Sequence, residues 1–357
     1  MSWNQTRVSE RLNIQYPIIQ GPFGGGLSTL ELLTIVSNSG GMGSYGAHIL
    51  APDDIIALVA AARQRTDKAF NINLWVSDHD AHGLDLDPAS FERYLKLFKP
   101  FYDQLGVEYP DYPQNISQRF EEQVEAVIEA APPVLSFVFG IPDKKVLQAC
   151  KQRDIITMGA ATTFDEARAI TEAGIDIVLA TGFEAGGHRV AFLKPAEQSL
   201  VGTYTLVRQI DHSLDVPLIA AGGIADARGI AAIQTAGAHA VQMGTAFLAC
   251  RESGTSDEHK QVLFSDKAHN TVLSRNYTGR LARFIPDEFI EAIDKTEGLP
   301  LPFPLHSFFV APIKAAAKAA GNAGFSSHYA GQGAPLLKHR DADALMSALV
   351  EELDCLN

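Results

Sequence analysis

Residues 182–189, with the sequence G-F-E-A-G-G-H-R, contain the side chain best suited to chemistry in this chain. They directly follow the apolar run 175–180, so a strand would end there and present His188 beside Gly186 and Gly187. Glycine has no Cβ, and its backbone can therefore approach a planar or anionic ligand closely. A histidine at such a point can act on the bound ligand. The pattern predicts a cofactor-dependent active site, against the alternative that His188 is an ordinary structural histidine.

The two charged residues of this motif have separate predictions. We expect Glu184 to orient a loop or to accept hydrogen bonds from the backbone, and not to act as a second catalyst. Arg189 could attract an anionic substrate or form a surface salt bridge, and the sequence leaves both roles open.

Two further glycine-rich segments could bind a phosphate group. Residues 220–230, A-A-G-G-I-A-D-A-R-G-I, follow an apolar run, and Asp226 is placed to begin a helix whose free N–H groups can hold an anion. Residues 243–247, M-G-T-A-F, follow the next such run and add the backbone of Gly244 and the hydroxyl of Thr245. Paired loops at these places are the usual phosphate site of an eight-stranded α/β barrel. The competing interpretation is a pair of tight turns without a ligand.

A third segment, Q-G-P-F-G-G-G at residues 20–26, ends the first apolar run. Its glycines would let the main chain lie against a flat ring, although a flexible turn explains the pattern equally well. Asn73, near the end of another predicted strand, is either an amide partner for the edge of a heteroaromatic ring or a structural asparagine.

Two other motifs are not assigned to the site. G-M-G-S-Y-G at residues 41–46 matches the dinucleotide pattern G-x-G-x-x-G, but it follows a predicted helix instead of opening one. We interpret it as a strand of the barrel and not as a Rossmann site. D-H-D-A-H at residues 78–82 has no convergent partners, so we interpret it as a solvated loop and predict no metal site.

The elements that must position these motifs alternate between short β-branched runs and amphipathic helical stretches. This alternation is typical of parallel βα units, and eight strands predict an α/β fold, the (β/α)8 TIM barrel. A weak repeat supports it, because residues 171–182 resemble residues 234–245, each with a helix that ends at Ala-Gly before a strand. The strands are predicted at residues 17–21, 41–45, 69–76, 133–139, 155–159, 175–180, 217–221 and 240–244.

Two segments interrupt the alternation. Residues 77–119 are long and polar, and are predicted to form an extended loop over the barrel mouth with one helix around residues 91–98. Residues 251–320 are predicted to form a smaller, mainly helical cap domain beside the active site, with His306, Tyr277 and Lys314 as candidate substrate contacts. The barrel would then span residues 1–250 and be completed by about residues 321–357.

Composition excludes several classes of protein. The chain has 357 residues, 46% of them apolar, which is enough for one large domain with an elaboration. Its net charge of −13 argues against a nucleic-acid partner or an anionic membrane surface. No signal peptide is recognisable, and no apolar run approaches the ~18 residues that a membrane span needs. Three widely spaced cysteines indicate reduced thiols, so we expect a cytoplasmic protein.

Taken together, these motifs resemble the nitronate monooxygenase family, also called 2-nitropropane dioxygenase-like flavoproteins. The resemblance covers nearly the whole chain and rests on P-I-I-Q-G-P-F-G-G-G, G-F-E-A-G-G-H-R, A-A-G-G-I-A-D, M-G-T-A-F and Y-A-G-Q-G-A-P, the last at residues 329–335. It implies an FMN-dependent enzyme that oxidises alkyl nitronates with molecular oxygen to a carbonyl compound and nitrite. His188 matches the family's active-site histidine, which would position the nitronate, offset its charge, or act as base toward a neutral nitroalkane. A small nitronate or nitroalkane and O2 are the expected partners of a monomer or homodimer.

The resemblance also implies which residues hold FMN. The phosphate would lie against Gly222, Gly223, Gly244 and Thr245, with Ala221 beside them. The remaining residues would line or approach the isoalloxazine ring: Gly21, Pro22, Phe23, Asn73, Thr181, Gly186, Gly187 and Gln332.

Three departures from the family pattern bear on the choice of substrate more than on the choice of cofactor. Phe23 stands where many members have methionine, and Val190 stands where a glycine commonly follows His-Arg. T-G-R at residues 278–280 replaces the more usual S-G-R.

Other functions remain compatible with the sequence. The first alternative is an NAD(P)H-dependent flavin reductase that acts on a quinone or as an enoyl-acyl-carrier-protein reductase. The second is a sugar-phosphate isomerase or lyase, whose substrate phosphate would occupy the corner assigned to FMN. The third is a flavin-binding sensor or store, in which His188 would have no catalytic role.

Overall fold

A barrel of eight parallel strands dominates the computed structural model, which describes residues 2–117 and 119–356. Every strand of the barrel begins and ends within two residues of its predicted position, so the TIM-barrel prediction is confirmed. A small three-stranded antiparallel sheet lies outside the barrel. In chain order the strands are β1 (Ile18–Gln20), β2 (Gly43–Gly46), β3 (Phe70–Trp75), β4 (Val134–Val138), β5 (Ile156–Ala161), β6 (Ile177–Thr181), β7 (Gly187–His188), β8 (Leu218–Ala221), β9 (Ala240–Met243), β10 (Val272–Ser274) and β11 (Ala282–Phe284).

The barrel closes between its first two strands. The hydrogen-bonded order is β1–β9–β8–β6–β5–β4–β3–β2, with every pair parallel. β1 and β2 then meet through a parallel bridge between Ile19 and Met42. The Met42 carbonyl accepts from the Gln20 N–H at 2.9 Å, and the Met42 N–H donates to the Ile18 carbonyl at 3.0 Å. Closure brings the carboxyl ends of all eight strands to one rim, which is where such barrels place their active sites.

Helices surround the barrel, and polar side chains mark where several of them begin. Thr29, Thr163 and Asp226 each accept a hydrogen bond from the N–H group three residues later, which satisfies a donor that the first helical turn leaves free. The helices are α1 (Arg7–Leu12), α2 (Leu30–Asn38), α3 (Pro52–Arg65), α4 (Pro88–Leu105), α5 (Phe120–Ala130), α6 (Lys144–Gln152), α7 (Phe164–Glu172), α8 (Thr203–Ser213), α9 (Ala227–Thr235), α10 (Thr245–Leu248), α11 (Asp257–Leu263), α12 (Glu288–Asp294), α13 (Leu305–Ala319) and α14 (Ala342–Leu356).

Two kinds of apolar packing hold the barrel together. Ile19, Met42, Met158 and Ile219, from different parts of the barrel wall, are completely buried in one cluster. A second cluster joins the strands to the outer helices, and it includes Met346 and other residues of α14. The C-terminal helix therefore packs on the barrel against α2 and α9.

The segment after β3 is more ordered than the sequence analysis predicted. In place of a loop with one short helix, α4 has 18 residues and packs against α13. Phe91, Phe98 and Tyr102 recur at the spacing of one helix face, and Phe98 stacks on Phe309 of α13 with ring centroids 5.2 Å apart. The prediction treated this segment as a polar loop because the partner surface lies some two hundred residues away in the sequence.

The predicted cap segment, residues 251–320, contains β10 and β11 as well as helices. β11 pairs with β10 on one side and with β7 on the other, in register Ala282–His188 and Arg283–Gly187. This small sheet therefore connects the cap segment to the glycine-histidine motif. Within the described residues, no helix is long and apolar enough to cross a membrane.

Candidate active site

A cavity of about 860 Å³ lies at the carboxyl ends of the barrel strands. Gln332 is exposed and is not among the residues that line it. Its backbone N–H donates to the Glu184 carbonyl at 2.9 Å. The other predicted site residues all line the cavity: His188, Gly21, Pro22, Phe23, Asn73, Thr181, Gly186, Gly187, Ala221, Gly222, Gly223, Gly244 and Thr245.

One corner of the cavity is built from the loops after β8 and β9. Gly222 and Gly223 have φ values of +117° and +72°, which side chains larger than hydrogen rarely adopt. A Cβ atom added at Gly244 would meet no atom within 4 Å, so it would project into open space. The Thr245 hydroxyl accepts the Gly331 N–H at 2.9 Å and keeps its own proton for a ligand. This corner has the bare backbone and the hydroxyl donor that an anion requires.

Asp226 does begin the helix that follows this corner, as predicted. Its carboxylate, however, occupies the helix terminus itself, where it accepts the Gly229 N–H at 2.8 Å. A phosphate would therefore lie on the loop glycines and not on the first turn of α9, because the two anions would repel each other there.

The segment that ends β1 forms another wall of the cavity. The Gly21 N–H donates to the Met243 carbonyl at 3.0 Å, and a Cβ atom at Gly21 would come within 3.4 Å of the Gly244 Cα. Asn73 lies farther along the wall, where its amide nitrogen donates to the Ser136 hydroxyl at 2.9 Å. With its donor group engaged, Asn73 offers the cavity a carbonyl oxygen, which accepts hydrogen bonds.

His188 is held in the cavity by the small antiparallel sheet. Gly187 precedes it with a φ of +75°, so a glycine is needed at the bend that turns the strand. The His188 Nε2 lies 2.9 Å from the Thr278 hydroxyl oxygen, and the ring meets the Trp75 indole edge-on with centroids 5.1 Å apart. The imidazole is thus oriented by one hydrogen bond and by aromatic packing.

The His188 imidazole is neutral in this environment. Burial lowers the pKa of His188 to about 3, and the positive charges of Arg280 and Lys314 act in the same direction. The Arg280 guanidinium is itself enclosed, with its central carbon 4.1 Å from the Phe139 ring centroid and its Nε donating to Asp80 at 2.9 Å. His188 can therefore offer a ligand hydrogen bonds near neutral pH, but it does not supply a positive charge.

The charged neighbours of His188 have structural roles. The Glu184 carboxylate accepts hydrogen bonds from the Thr203 N–H at 3.0 Å and from its hydroxyl at 2.9 Å, as predicted. Arg189 fulfils neither predicted role, because it is only 1% exposed. Its guanidinium donates to the carbonyl oxygens of Thr181, Gly182 and Ser199 at 2.7–3.0 Å. Arg189 instead ties the strand end to the loop that follows it.

The loop at residues 78–82 also differs from the solvated loop that was predicted. The Asp78 side chain is 10% exposed and accepts hydrogen bonds from the Phe120 N–H and the Arg119 Nε, both at 3.1 Å. Asp80 forms an ion pair with Arg280, so this loop holds a charged side chain in place beside the cavity. In the part of the chain that the structure describes, no cluster of three or more His, Cys, Asp or Glu side chains could hold a metal ion.

The cap segment contributes two of its three candidate substrate contacts. Tyr277 and Lys314 line the cavity, whereas His306 is fully buried elsewhere, with Nε2 2.7 Å from the Asn276 carbonyl. Burial lowers the pKa of Lys314 to about 8. Among the described residues, no carboxylate pairs with the Lys314 ammonium, and the nearest ring centroids, those of Tyr277 and Tyr329, are 5.9 and 6.0 Å away. Lys314 is therefore an uncompensated positive charge in the cavity.

Two residues that line the cavity, His48 and Trp75, were not predicted from the sequence. His48 comes soon after β2 and Trp75 ends β3, and both line the cavity. The rule that active-site residues follow the carboxyl ends of barrel strands would have identified both.

Known proteins are similar to this chain over almost its whole length. The model of the family described as nitronate monooxygenase matches residues 5–352. A probable nitronate monooxygenase of Staphylococcus haemolyticus is 36% identical over 99% of this chain and 98% of its own length. A nitroalkane oxidase from Streptomyces ansochromogenes superimposes with a TM-score of 0.86 at 31% identity, over 97% of each chain. FabK from Thermotoga maritima gives a TM-score of 0.75 at 27% identity, over 99% of this chain and 97% of its own. The chain belongs to the nitronate monooxygenase family.

Proposed function

We propose that the protein is an FMN-dependent enzyme that oxidises alkyl nitronates with molecular oxygen to a carbonyl compound and nitrite. The observation that carries the proposal is the composition of one cavity. A glycine-lined corner suited to a phosphate, a neutral histidine and an unpaired lysine all line it. Each of these groups meets one requirement of the reaction. The corner would bind the cofactor, the histidine would orient the substrate, and the lysine would offset the negative charge of the substrate.

The residues present fit FMN. Gly244 leaves free the space that a Cβ atom would fill, and Thr245 keeps a hydroxyl proton for a phosphate oxygen. Gly222 and Gly223 add backbone in a conformation that larger residues rarely adopt. The Asn73 carbonyl oxygen would accept a hydrogen bond from the ring edge, and Gly21 would let the backbone lie against the ring. When bound, the flavin supplies the electron-transfer chemistry that side chains lack.

The chain's own residues would bind and orient the nitronate. When the Thr278 hydroxyl donates to Nε2 of His188, Nδ1 carries the proton and can donate to a nitronate oxygen. The Lys314 ammonium offsets the negative charge of the substrate in a buried setting, where such an attraction is stronger than in water. His188 and Lys314 thus divide the work, one through a directional hydrogen bond and the other through charge.

The purified protein tests this proposal directly. We expect a yellow protein with a flavin absorption spectrum that consumes oxygen when a nitronate is added and releases nitrite. Under anaerobic conditions, the nitronate should bleach the flavin and NADH should not do so at a comparable rate. Rapid bleaching by NADH alone would instead favour the NAD(P)H-dependent flavin reductase. A colourless protein that takes up no FMN would favour the sugar-phosphate isomerase or lyase.

The lowered pKa of Lys314 predicts how activity depends on pH. The ammonium is present below about pH 8 and lost above it, so its attraction for an anion disappears as the pH rises. With pre-formed nitronate, kcat/KM should fall by up to about tenfold per pH unit above pH 8. The measurement is a pH profile of oxygen uptake for the wild type and for Lys314→Met.

Lys314→Met should start from a lower kcat/KM and show no such fall between pH 7 and pH 9. If kcat/KM of the variant falls above pH 8 in the same way as that of the wild type, the titrating group is not Lys314. Because the pKa of His188 is lowered to about 3, titration of this histidine should cause no change in kcat/KM near pH 6.5 in either protein.

A further inference from the structure

The face of α13 that lines the cavity leaves open space around one amine. Lys314 lies on this face, and Ser307 and Ala311 precede it by about two turns and about one turn of helix. Ala311 and Ala315 are exposed, and both line the cavity. Because these side chains are small, α13 itself does not fill the space beside Lys314, and a small organic molecule has room there.

The Nζ atom of Lys314 is accessible from the cavity. It lies 5.9 Å from the Tyr277 ring centroid and 6.0 Å from that of Tyr329, and it forms no hydrogen bond with the described residues. Each buried side-chain nitrogen or oxygen atom that lacks a partner in the described part of the chain belongs to another residue. Since Nζ lacks a partner and is not one of these buried atoms, a ligand in the cavity can reach it.

Among the described residues, the rings beside Lys314 supply no negative charge. Burial raises the pKa of the phenols of Tyr277 and Tyr329, and His188 is neutral. Burial therefore lowers the pKa of Lys314 to about 8 without opposition. About one amine in ten is then unprotonated at pH 7, against fewer than about one in a thousand for an exposed lysine. An unprotonated lysine amine is a nucleophile toward carbonyl carbon.

The proposed reaction removes the anion that would keep this amine protonated. A bound nitronate stabilises the ammonium through its negative charge, which raises the pKa of the lysine. The carbonyl product is uncharged, and once nitrite has left, the amine again has no ionic partner. The carbonyl compound and the unprotonated amine are then present together in one cavity.

We propose that Lys314 forms a reversible Schiff base with the aldehyde or ketone that the reaction releases. The inference rests on the proposed function, which supplies this carbonyl compound. The lone pair of Nζ attacks the carbonyl carbon, and the carbinolamine then loses water. A C=N bond replaces the C=O bond, and the two amine protons leave with the oxygen. The adduct occupies the substrate site, so the carbonyl product inhibits the enzyme until hydrolysis frees the lysine.

Reductive trapping tests the proposal. The holoprotein is incubated at pH 7 with acetaldehyde and sodium cyanoborohydride, which reduces an imine to a stable secondary amine. Peptide mass spectrometry then measures the rate at which each lysine gains an ethyl group. Lys318, exposed and one turn farther along α13, is the matched internal control, and the exposed Lys151 on α6 is a control outside the cavity. Flavin absorbance and circular dichroism report whether the protein stays intact.

We expect Lys314 to gain the ethyl group at least about tenfold faster than either control, because its larger unprotonated fraction outweighs the lower nucleophilicity of a less basic amine. Lys318→Met should leave the rate at Lys314 unchanged, and Lys314→Met should leave no lysine that reacts faster than Lys151. Oxidation activity should fall in proportion to the fraction of Lys314 that is ethylated. A rate at Lys314 no higher than at Lys151 would overturn the inference, and this comparison within the wild type does not depend on the folding of any variant.

A second incubation separates this inference from the proposed function. The nitronate of nitroethane replaces acetaldehyde, so turnover should generate acetaldehyde in the cavity and place the same ethyl group on Lys314. A protein that is ethylated at Lys314 by added acetaldehyde but consumes no oxygen with any nitronate would refute the function and leave the reactive lysine standing. Oxygen uptake and nitrite release without preferential ethylation of Lys314 in either incubation would refute only the inference.

Discussion

Replacing His188 with alanine is expected to lower kcat/KM for a nitronate by about 100-fold or more. The variant loses a hydrogen bond to a charged ligand, worth about 1.5–3 kcal/mol, together with the orientation that this bond imposes on the substrate. Steady-state oxygen uptake at pH 7 measures the effect. The flavin content should stay at the wild-type level, because His188 extends from β7 and not from the loops proposed to hold the phosphate.

The control for this prediction is the same substitution at an exposed histidine. His212→Ala, on the outer helix α8, should leave both kcat/KM and flavin content unchanged. If His188→Ala binds flavin normally and oxidises the nitronate at the wild-type rate, the assignment of His188 to the reaction is wrong.

Replacing Gly244 with valine is expected to abolish tight binding of the proposed FMN. The Cβ atom of the added side chain projects into open space at the corner after β9, where the phosphate is proposed to lie. Loss of two charge-assisted hydrogen bonds would raise the FMN dissociation constant at least about 100-fold. Fluorescence titration of the flavin-free protein with FMN measures this constant.

The melting temperature of the flavin-free protein should be nearly the same with glycine or valine at position 244. Gly202→Ala is the control, because position 202 lies outside the cavity and its added Cβ would come no closer than 3.4 Å to another atom. A Gly244→Val protein that still purifies with a full complement of flavin would place the phosphate elsewhere.

Local sequence patterns were sufficient to predict the barrel. Each strand is a short apolar run, and each is followed by a turn or helix signal within a few residues, as Asp226 is for α9. Such signals act over one or two turns of chain, so they can be recognised without knowing the rest of the fold. The glycine-rich corner was predictable for the same reason, since bare backbone after a strand is a local property.

Side-chain partners were less predictable. From the sequence, Arg189 could equally well attract an anionic substrate or form a surface salt bridge. In the structure it is buried against three carbonyl oxygens, whose positions depend on how two loops meet. α4 looked like a loop because its apolar face is covered by α13, far along the chain. Gln332 belonged to a convincing motif, but its side chain is exposed while neighbouring Gly331 and Gly333 line the cavity.

The order of strands and turns, and hence the rim at which chemistry would occur, could be obtained from the residues alone, because secondary structure and tight turns depend on near neighbours. Only the folded molecule brought His48, Trp75, His188 and Lys314 into one cavity, since they come from loops and helices separated by many tens of residues. Their neutrality or charge was likewise decided there, because burial sets the pKa of a side chain and burial is a property of the assembled fold.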